Sequence, residues 1–530
     1  MPARQRHETP VLIIGAGPAG LATAAGLARN GVGSLVIERH PTTSIFPKAS
    51  GISTRTMEIL RSWGLEDEVR AASLSALPMM SVRATLAGAG QAVAPLGFPT
   101  DEQALAVSPT RPAIAPQDRV EPILLDFVRS QPGTEVRFRT ELVAIEQDAD
   151  GVTAAIRDLA QDRLETVRAR YLVGADGTKS TVRSLLGIAA HGPDDLGTYL
   201  TMLFRADLWP TLGDERFGLY QLNGPMPGVF VPTGPDDRWV LGLPFDPRTD
   251  DPAGFDAERC IELIRRAAGL PGLDVELLAS MPITFMAQAA ERARERNVFL
   301  IGDAAHRMPP MGGRGLNTAV ADAFGLSWKL AWAVRGWAGE ALLETHEAER
   351  GPVGRFNLAL AAPNNPAATP DGLREDLGYV YRSAAIHAED NLDPTPSHLY
   401  PTTATPGARL PHASLAGPHG TISTLDLVGP RLTLLTGPQG GRWLAAAEAC
   451  SLDSPIPLAA HAIGIELDSR DGDFCERFGL GADGAVLVRP DGHIAWRREA
   501  GSEVDHDAEL GTALDIATGR ARRGVAAVAA

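Results

Sequence analysis

A chain of 530 residues is too long for one ordinary hydrophobic core, and 44% apolar residues suffice to build two or three. Lys and Arg number 49 against 65 Asp and Glu, a formal net charge of -16, which makes nucleic acid and anionic membrane poor partners. The three cysteines, Cys260, Cys450 and Cys475, form no C-x-x-C pair. This argues against a disulfide scaffold, a thiolate metal knuckle or a dithiol redox centre, and fits a reducing cytoplasm.

The first ten residues read as a short polar tail rather than a signal peptide, and no later apolar run is long enough to span a bilayer. The run VLIIGAGPAGLATAAGLARNGVGSLVIER follows, in which Val11 to Ile14 lead directly into Gly15, Gly17 and Gly20. This is the G-x-G-x-x-G pattern: a tight turn at Gly15, close approach to a pyrophosphate at Gly17, and helix-on-strand packing at Gly20. The helix N-terminus then offers free amides to negative charge. A second strand, Ser34 to Ile37, ends at Glu38, spaced to accept from a ribose 2'-hydroxyl; an acid there favours NAD or FAD over NADP.

The linker Arg39 to Gly51 leads to a helix bearing Met57, Ile59, Leu60 and Trp63, with Arg55 near its start. A solvated arginine and a pyrophosphate or active-site contact both fit that position. Residues 81 to 116 suggest short strands of a second layer, and a helix is expected from Asp118 to Arg129, with Gln117 and Arg119 at its start and within reach of a cofactor. Alternation then predicts a hairpin turning at Asp150 and Gly151.

In VRARYLVGADGTKSTVRSLLGI a strand at Tyr171 to Val173 gives way to Gly174, Asp176 and Gly177, repeating the geometry of the first site; a surface Asp-Gly turn is the alternative. From Tyr199 to Phe245 four strand candidates succeed one another, followed by an amphipathic helix, Ala257 to Ala268, and a strand from Ile283 to Gln288. An apolar sheet over a dinucleotide domain would enclose a large aromatic ligand. Met202, Phe204, Tyr220, Phe230, Phe285 and Met286 are candidates to line it, each also compatible with ordinary core.

The stretch NVFLIGDAAHRMPPMGGRGLNTAVADAFGLSWKLAWAVRG carries a third signature. A strand from Val298 to Ile301 precedes Asp303, placed to bond a sugar or ribityl hydroxyl. Pro309 and Pro310 bend the chain, and Gly312, Gly313 and Gly315 admit a planar ligand before a long helix starting near Leu316 or Asn317. His306 reads as a structural hydrogen-bonding residue, and the remaining histidines show no metal-ligand spacing, so no metal site is expected. Beyond a proline-rich stretch, with a helix around Leu373 to Ala388, strands and helices make a small α/β unit closed by a hairpin at Pro490 to Gly492.

Together, GAGPAG with Glu38, YLVGADGTKSTVR, FLIGDAAHRMPPMGGRGLN and PDGHIAWR make the chain resemble, over nearly its whole length, the class A FAD-dependent aromatic hydroxylases of the phenol hydroxylase and aromatic polyketide hydroxylase branch. The resemblance implies an α/β protein in which a discontinuous Rossmann-like FAD domain (1–80, 111–198 and 290–360) interleaves with an antiparallel-sheet substrate domain (81–110 and 199–289). A helix and linker (361–405) and a thioredoxin-like domain without redox cysteines (406–530) would follow. Carried over, Gly15, Gly17, Pro18, Ala19, Gly20, Glu38 and Arg39 would hold the ADP part. Arg55 would approach the flavin phosphates and ring, and Gln117 and Asp303 the ribityl chain. Asp176 belongs to a motif serving flavin and reductant. Pro310, Gly312, Gly313, Gly315, Leu316 and Asn317 would border the isoalloxazine. Arg314 stands where the family often has Gln or Phe, placed to meet an anionic substrate or nicotinamide phosphates. Arg55, Pro310 and Arg314 form the candidate catalytic set.

The implied reaction is hydroxylation of a phenolic polycyclic substrate of secondary metabolism through a flavin C4a-hydroperoxide, with NADPH or NADH as transient reductant and O2 as co-substrate. Baeyer-Villiger insertion, or a flavin oxidase or accessory protein without oxygen transfer, are the competing readings. A cytoplasmic protein, with a homodimer as a candidate assembly and no membrane insertion, is expected.

Overall fold

The computed structural model describes residues 6–234, 236–361, 372–387, 404–417, 420–465, 467–470, 474–500 and 504–520. At its centre the strand Arg6–Ile14 lies parallel between Ser34–Ile37 and Arg163–Gly174, with Ile13 opposite Val36 and Val173. Val298–Leu300 extends the parallel sheet on one side and Thr134–Arg137 on the other. Both faces of the central strands are buried, which explains their unbroken apolar runs. Val11, Ile13, Val36 and Val173 pack under the helices Pro18–Arg29, Gln117–Ser130 and Arg314–Arg335. Leu12, Ile14, Leu35 and Leu172 face the antiparallel strands Thr140–Gln147 and Val152–Asp158. At about 1.5–3 kcal/mol per fully buried large aliphatic side chain, this double-sided core is what fixes the glycine turn at the strand's end.

A second sheet of seven strands runs in the order Glu276–Thr284, Thr198–Arg205, Arg238–Phe245, Gly228–Pro232, Phe217–Leu222, Leu77–Arg83, Ala92–Pro95. The sheet is mixed, since Phe217–Leu222 and Leu77–Arg83 pair in parallel. One face packs on the helix Ala257–Ala268, whose Cys260, Leu263, Ile264 and Ala267 meet the sheet core. Met202, Phe204, Tyr220 and Phe230 belong to that core, each fully buried. Of the two readings open for them, ordinary core is the one the structure supports. Their strand neighbours Leu203, Val231 and Val240 turn the other way and pack with Phe46 from the loop that follows Ser34–Ile37. Alternation shows that a strand has two faces without saying which one a helix covers. The closing strand also starts earlier than expected, at Glu276, and a separate short strand, Gln288–Ala290, follows it. Phe285 lies beside Tyr199, their ring centroids 5.2 Å apart.

In the C-terminal part, Leu458–Ala462, Leu432–Thr436, Ala485–Val488 and Ile494–Arg498 form a four-stranded sheet in that order, parallel in the first pair and antiparallel in the others. Helices Gly441–Asp453 and His506–Ala517 pack on it, and Pro490 to Gly492 lie in the turn between the last two strands. Of the helix expected around Leu373 to Ala388, the segment Gly372–Leu377 is helical, and Ala388 lies outside the described residues. So does most of the expected linker. Among the described residues no helix is long and apolar enough to cross a membrane.

Candidate cofactor and active site

Three chain segments meet at the carboxyl ends of the parallel strands. In the first, Gly15 adopts φ +105°, and a Cβ there would sit 2.4 Å from the Ala175 carbonyl oxygen. A Cβ at Gly17 would meet nothing within 4 Å. Gly17 caps the helix Pro18–Arg29 without any side-chain hydrogen bond to its first amides. Backbone donors are thus left facing open space, which suits a diphosphate. Glu38 clamps this turn: Oε2 accepts from the Ala16 amide and Oε1 from the His40 amide, both at 2.9 Å. Arg39, beside it, is exposed.

The second segment is the Asp176 loop. The Asp176 carboxylate accepts from Ser180 Oγ at 2.6 Å and the Val182 amide at 3.0 Å, and burial raises its pKa. The carboxylate thereby shapes its own loop, whose backbone abuts Gly15.

The third segment begins with Gly302, at φ +56°, where a Cβ would lie 3.0 Å from the Ala19 side chain. Asp303 follows. It is enclosed by the protein yet accessible, as a group on a cavity wall is, and desolvation raises its pKa against the opposing charges of His306, Lys48 and Arg307. Pro310 and Gly312 are exposed, and Gly312 and Gly313 both adopt left-handed φ, +73° and +61°. The helix after them starts at Arg314, two or three residues earlier than expected, again without a side-chain cap on its amides, and Leu316 in its first turn is buried in the core. A Cβ at Gly315 would meet nothing within 4 Å. Asn317 fastens this loop to the strand Gly51–Ile52, donating to the carbonyls of Gly51 (2.9 Å) and Gly313 (2.7 Å) and accepting from the Ser53 amide at 2.9 Å.

Two expected site arginines are held by protein partners. Arg55 is buried and donates to Glu58 at 2.9 Å and to the Asp491 carbonyl at 2.6 Å, and it lines one cavity with Gly312, Gly313, Arg314 and Asn317. Arg314 is paired with Glu375 rather than free for an anion. Glu58 stands three residues on in the same helix, whereas the Asp491 carbonyl and Glu375 come from parts of the chain that local pattern does not connect. Gln117 donates to Glu121 at 2.6 Å, and Arg119 pairs with Asp236 at 2.7 Å.

Several polar residues of this region carry no local sequence signature. Lys48 lies near Asp303 and Glu121, in a loop without periodicity. Asp376 accepts from Ser53 Oγ and the Arg55 amide, both at 2.8 Å, and desolvation pushes its carboxyl up to about 6. Asp322 had one readable signal, a lone acid within the apolar run TAVADAFGL. It is 2% exposed, and although burial works to raise its pKa, the adjacent His306 and Arg350 hold its carboxyl well below the usual range.

A parallel α/β core with an open glycine cradle, a carboxylate at the end of the second strand and an accessible acid inside the protein defines a dinucleotide-cofactor oxidoreductase. These residues fit FAD: the cradle takes the diphosphate where Gly17 leaves room, and Asp303 offers acceptors to a polyol. The chain matches the FAD-binding domain family over residues 8–361 and the aromatic-ring hydroxylase C-terminal family over residues 403–521. It belongs to the FAD-dependent aromatic-ring hydroxylases and is an FAD-binding enzyme of the monooxygenase family. Tetracenomycin A2 monooxygenase-dioxygenase of Streptomyces glaucescens is 40% identical over 549 residues, covering 96% of each chain. Aklavinone 12-hydroxylase RdmE of Streptomyces purpurascens is 39% identical, over 93% of this chain and 96% of its own. The fold is similar to aklavinone-11 hydroxylase in complex with FAD and aklavinone, with a TM-score of 0.89, 37% identity and 97% and 99% of the two chains covered. The flavin-dependent monooxygenase PieE with FAD and substrate aligns with a TM-score of 0.90 at 34% identity, over 97% and 99%.

Proposed function

We propose that this enzyme hydroxylates a phenolic polycyclic substrate of the aromatic polyketide type, using NADPH or NADH as a transient reductant and O2 as co-substrate. The observation that carries the reading is the apolar sheet face bearing Leu203, Val231 and Val240, which turns toward the cofactor domain rather than to its own helix. An apolar face on the cofactor side of the sheet suits a fused aromatic ligand. Relatives named for tetracenomycin and aklavinone support the same substrate class.

Gly15, Gly17, Gly20 and Glu38 would hold the ADP end of FAD, Asp303 the ribityl chain, and the backbone from Pro310 to Asn317 the ring. FAD supplies, when bound, the electron transfer and oxygen activation. The protein's own share is positional: the uncapped amides after Gly313 stabilise developing negative charge, the sheet orients the aromatic ring, and apolar walls exclude water. Glu38 serves the FAD ribose and leaves the choice between NADH and NADPH open. The C-terminal unit reads as thioredoxin-like, supported by its βαβ–ββα strand order; Cys450 and Cys475 form no disulfide among the described residues, which suits a structural role. A cytoplasmic protein, alone or as a homodimer, without nucleic acid among its partners, completes the proposal, the last point resting on the charge of -16.

The test is NAD(P)H oxidation by the yellow holoenzyme with a panel of phenolic polycycles under labelled dioxygen. Incorporation of one labelled oxygen into a ring hydroxyl is the expected outcome. Reductant consumption that never alters substrate mass, across the panel, would overturn it.

A further inference from the structure

We propose that Asp322 is a positioning residue for the Gly302–Asp303 turn, and that it is braced from the C-terminal unit through Arg350, Tyr381 and His493. The inference rests on FAD occupying the site of that turn.

Asp322 stands on the helix Arg314–Arg335, between Ala321 and Ala323, where an acid without compensation would be costly. Its two oxygens divide their partners. Oδ2 accepts from the Gly302 amide at 3.2 Å and bonds His306 Nε2 at 2.6 Å, so one atom ties both ends of the short segment that carries Asp303. Oδ1 accepts from Arg350 Nε at 2.7 Å. The turn needs such a tether. Gly302 is held in left-handed backbone close to Ala19, and the Asp303 carboxyl is desolvated without forming an ion pair among the described residues. A buried carboxylate that fixes a backbone amide and a ring together sets the direction of the residue between them.

Arg350 continues the path. It donates to the Thr318 carbonyl at 3.3 Å and to the Tyr381 hydroxyl at 3.2 Å. The Tyr381 ring stacks on His493, with centroids 4.0 Å apart and planes 25° from parallel. His493 belongs to the PDGH turn of the C-terminal sheet and bonds the Gly407 carbonyl through Nδ1 at 3.0 Å. The same turn presents Asp491, which accepts from Trp328 Nε1 at 3.1 Å on the Asp322 helix. Asp322, Arg350, Tyr381 and His493 are each at most 4% exposed, so bulk solvent does not compete for these bonds. The PDGH turn, which the reaction itself leaves without a task, is thus the far support of the flavin turn.

The experiment compares wild type, Asp322→Asn, Tyr381→Phe and the double variant in the full-length chain. Its readouts are the FAD dissociation constant, the absorption envelope of bound flavin, and circular dichroism. Asp322→Asn keeps the volume and one acceptor but loses the charge. The expected result is at least a tenfold weaker FAD complex with an altered flavin envelope and unchanged secondary structure. Tyr381→Phe keeps the stacked ring and should weaken FAD at least threefold. The double variant should lose less than the product of the two, because both act along one path. Wild-type FAD affinity and envelope in Asp322→Asn would overturn the positioning role, whatever happens to thermal stability. Strict additivity would overturn the brace. Should Asp322→Asn not fold, unchanged affinity and envelope in Tyr381→Phe overturn the proposal alone. None of these readouts requires turnover, so a failed hydroxylation assay would leave them intact and would fall on the proposed reaction only.

Discussion

A Cβ on Gly20 would lie 1.9 Å from the carbonyl oxygen of Gly15, whereas one on Gly17, three residues earlier, would touch nothing. The two glycines therefore have different tasks. Gly20→Ala should disrupt the turn itself, lowering the melting temperature of the apoprotein. Gly17→Ala should fold as wild type and lose FAD affinity by about tenfold or more, since the added methyl stands where diphosphate and amides must meet. Thermal melts of both apoproteins with FAD titrations check this; a stable apo Gly20→Ala would contradict it.

Glu38 spends both oxygens on backbone amides, those of Ala16 and His40. In Glu38→Gln the side chain offers one acceptor and one donor, so one amide loses its partner. Hydrogen bonds to a charged group are worth about 1.5–3 kcal/mol, so FAD binding should weaken roughly tenfold or more. The ratio of kcat/KM for NADH and NADPH should stay as in wild type. A switch in that ratio would assign Glu38 to the reductant instead.

The two faces of the seven-stranded sheet can be told apart by adjacent residues. Phe230 is fully buried under the helix Ala257–Ala268, and Phe230→Ala should cost about 3–5 kcal/mol in denaturant unfolding. Val231→Thr, on the other face, adds a hydroxyl and removes little volume. It should cost under about 1.5 kcal/mol, leave FAD affinity unchanged and raise KM for a polycyclic substrate severalfold. Equal stability losses with unchanged KM would argue against that face being the ligand wall.

Burial lowers the pKa of His346 and of His493 to about 3, below the ordinary value of 6.5. The unfolded chain binds these protons first, so the stability they represent is complete above pH 6.5 and declines as pH falls toward 3. Each contributes a slope of at most ~1.4 kcal/mol per pH unit. Melting temperature should fall on acidification from pH 7 to 5, and the fall should be shallower in His346→Gln.

Asp376 acts with the opposite sign. Its folded pKa of about 6 lies above the ordinary 3.8, so its contribution is complete below pH 3.8 and is lost as pH rises through 6. Asp376→Asn removes this term. The stability of the variant relative to wild type should therefore increase by up to ~3 kcal/mol between pH 4 and 7. A constant difference across that range would show that the carboxyl is not desolvated.

Much of the fold was readable from the chain because local rules fix it. Apolar runs marked the buried parallel strands, three glycines marked a turn whose close contacts now bear on Ala175 and on Gly15 itself, and 3.6-residue spacing gave the helix Ala257–Ala268 at both ends. What escaped depends on distant partners. Met202 and Phe204 alternate as a strand should, but only the helix at 257 decides their side. Arg55 and Arg314 stand in the expected segments, yet their charges are taken by Glu58 and Glu375, the second of which lies far along the chain. Asp322 was one acid in an apolar helix, and its role became visible only with Gly302, His306 and Arg350 around it.

The parallel register that sets residue 13 beside 173, and 173 beside 299, has a consequence for biosynthesis. A ribosome releases the glycine turn and its near neighbour Ser34–Ile37 long before Arg163–Gly174 exists, so the strand Arg6–Ile14 must wait with its hydrogen-bonding groups unpaired on that side. Truncated chains ending before residue 298 retain an open apolar edge, the kind of surface on which nascent proteins aggregate. Yield in a foreign host will accordingly depend on elongation rate and temperature, and FAD loading belongs to the completed chain rather than to its N-terminal half.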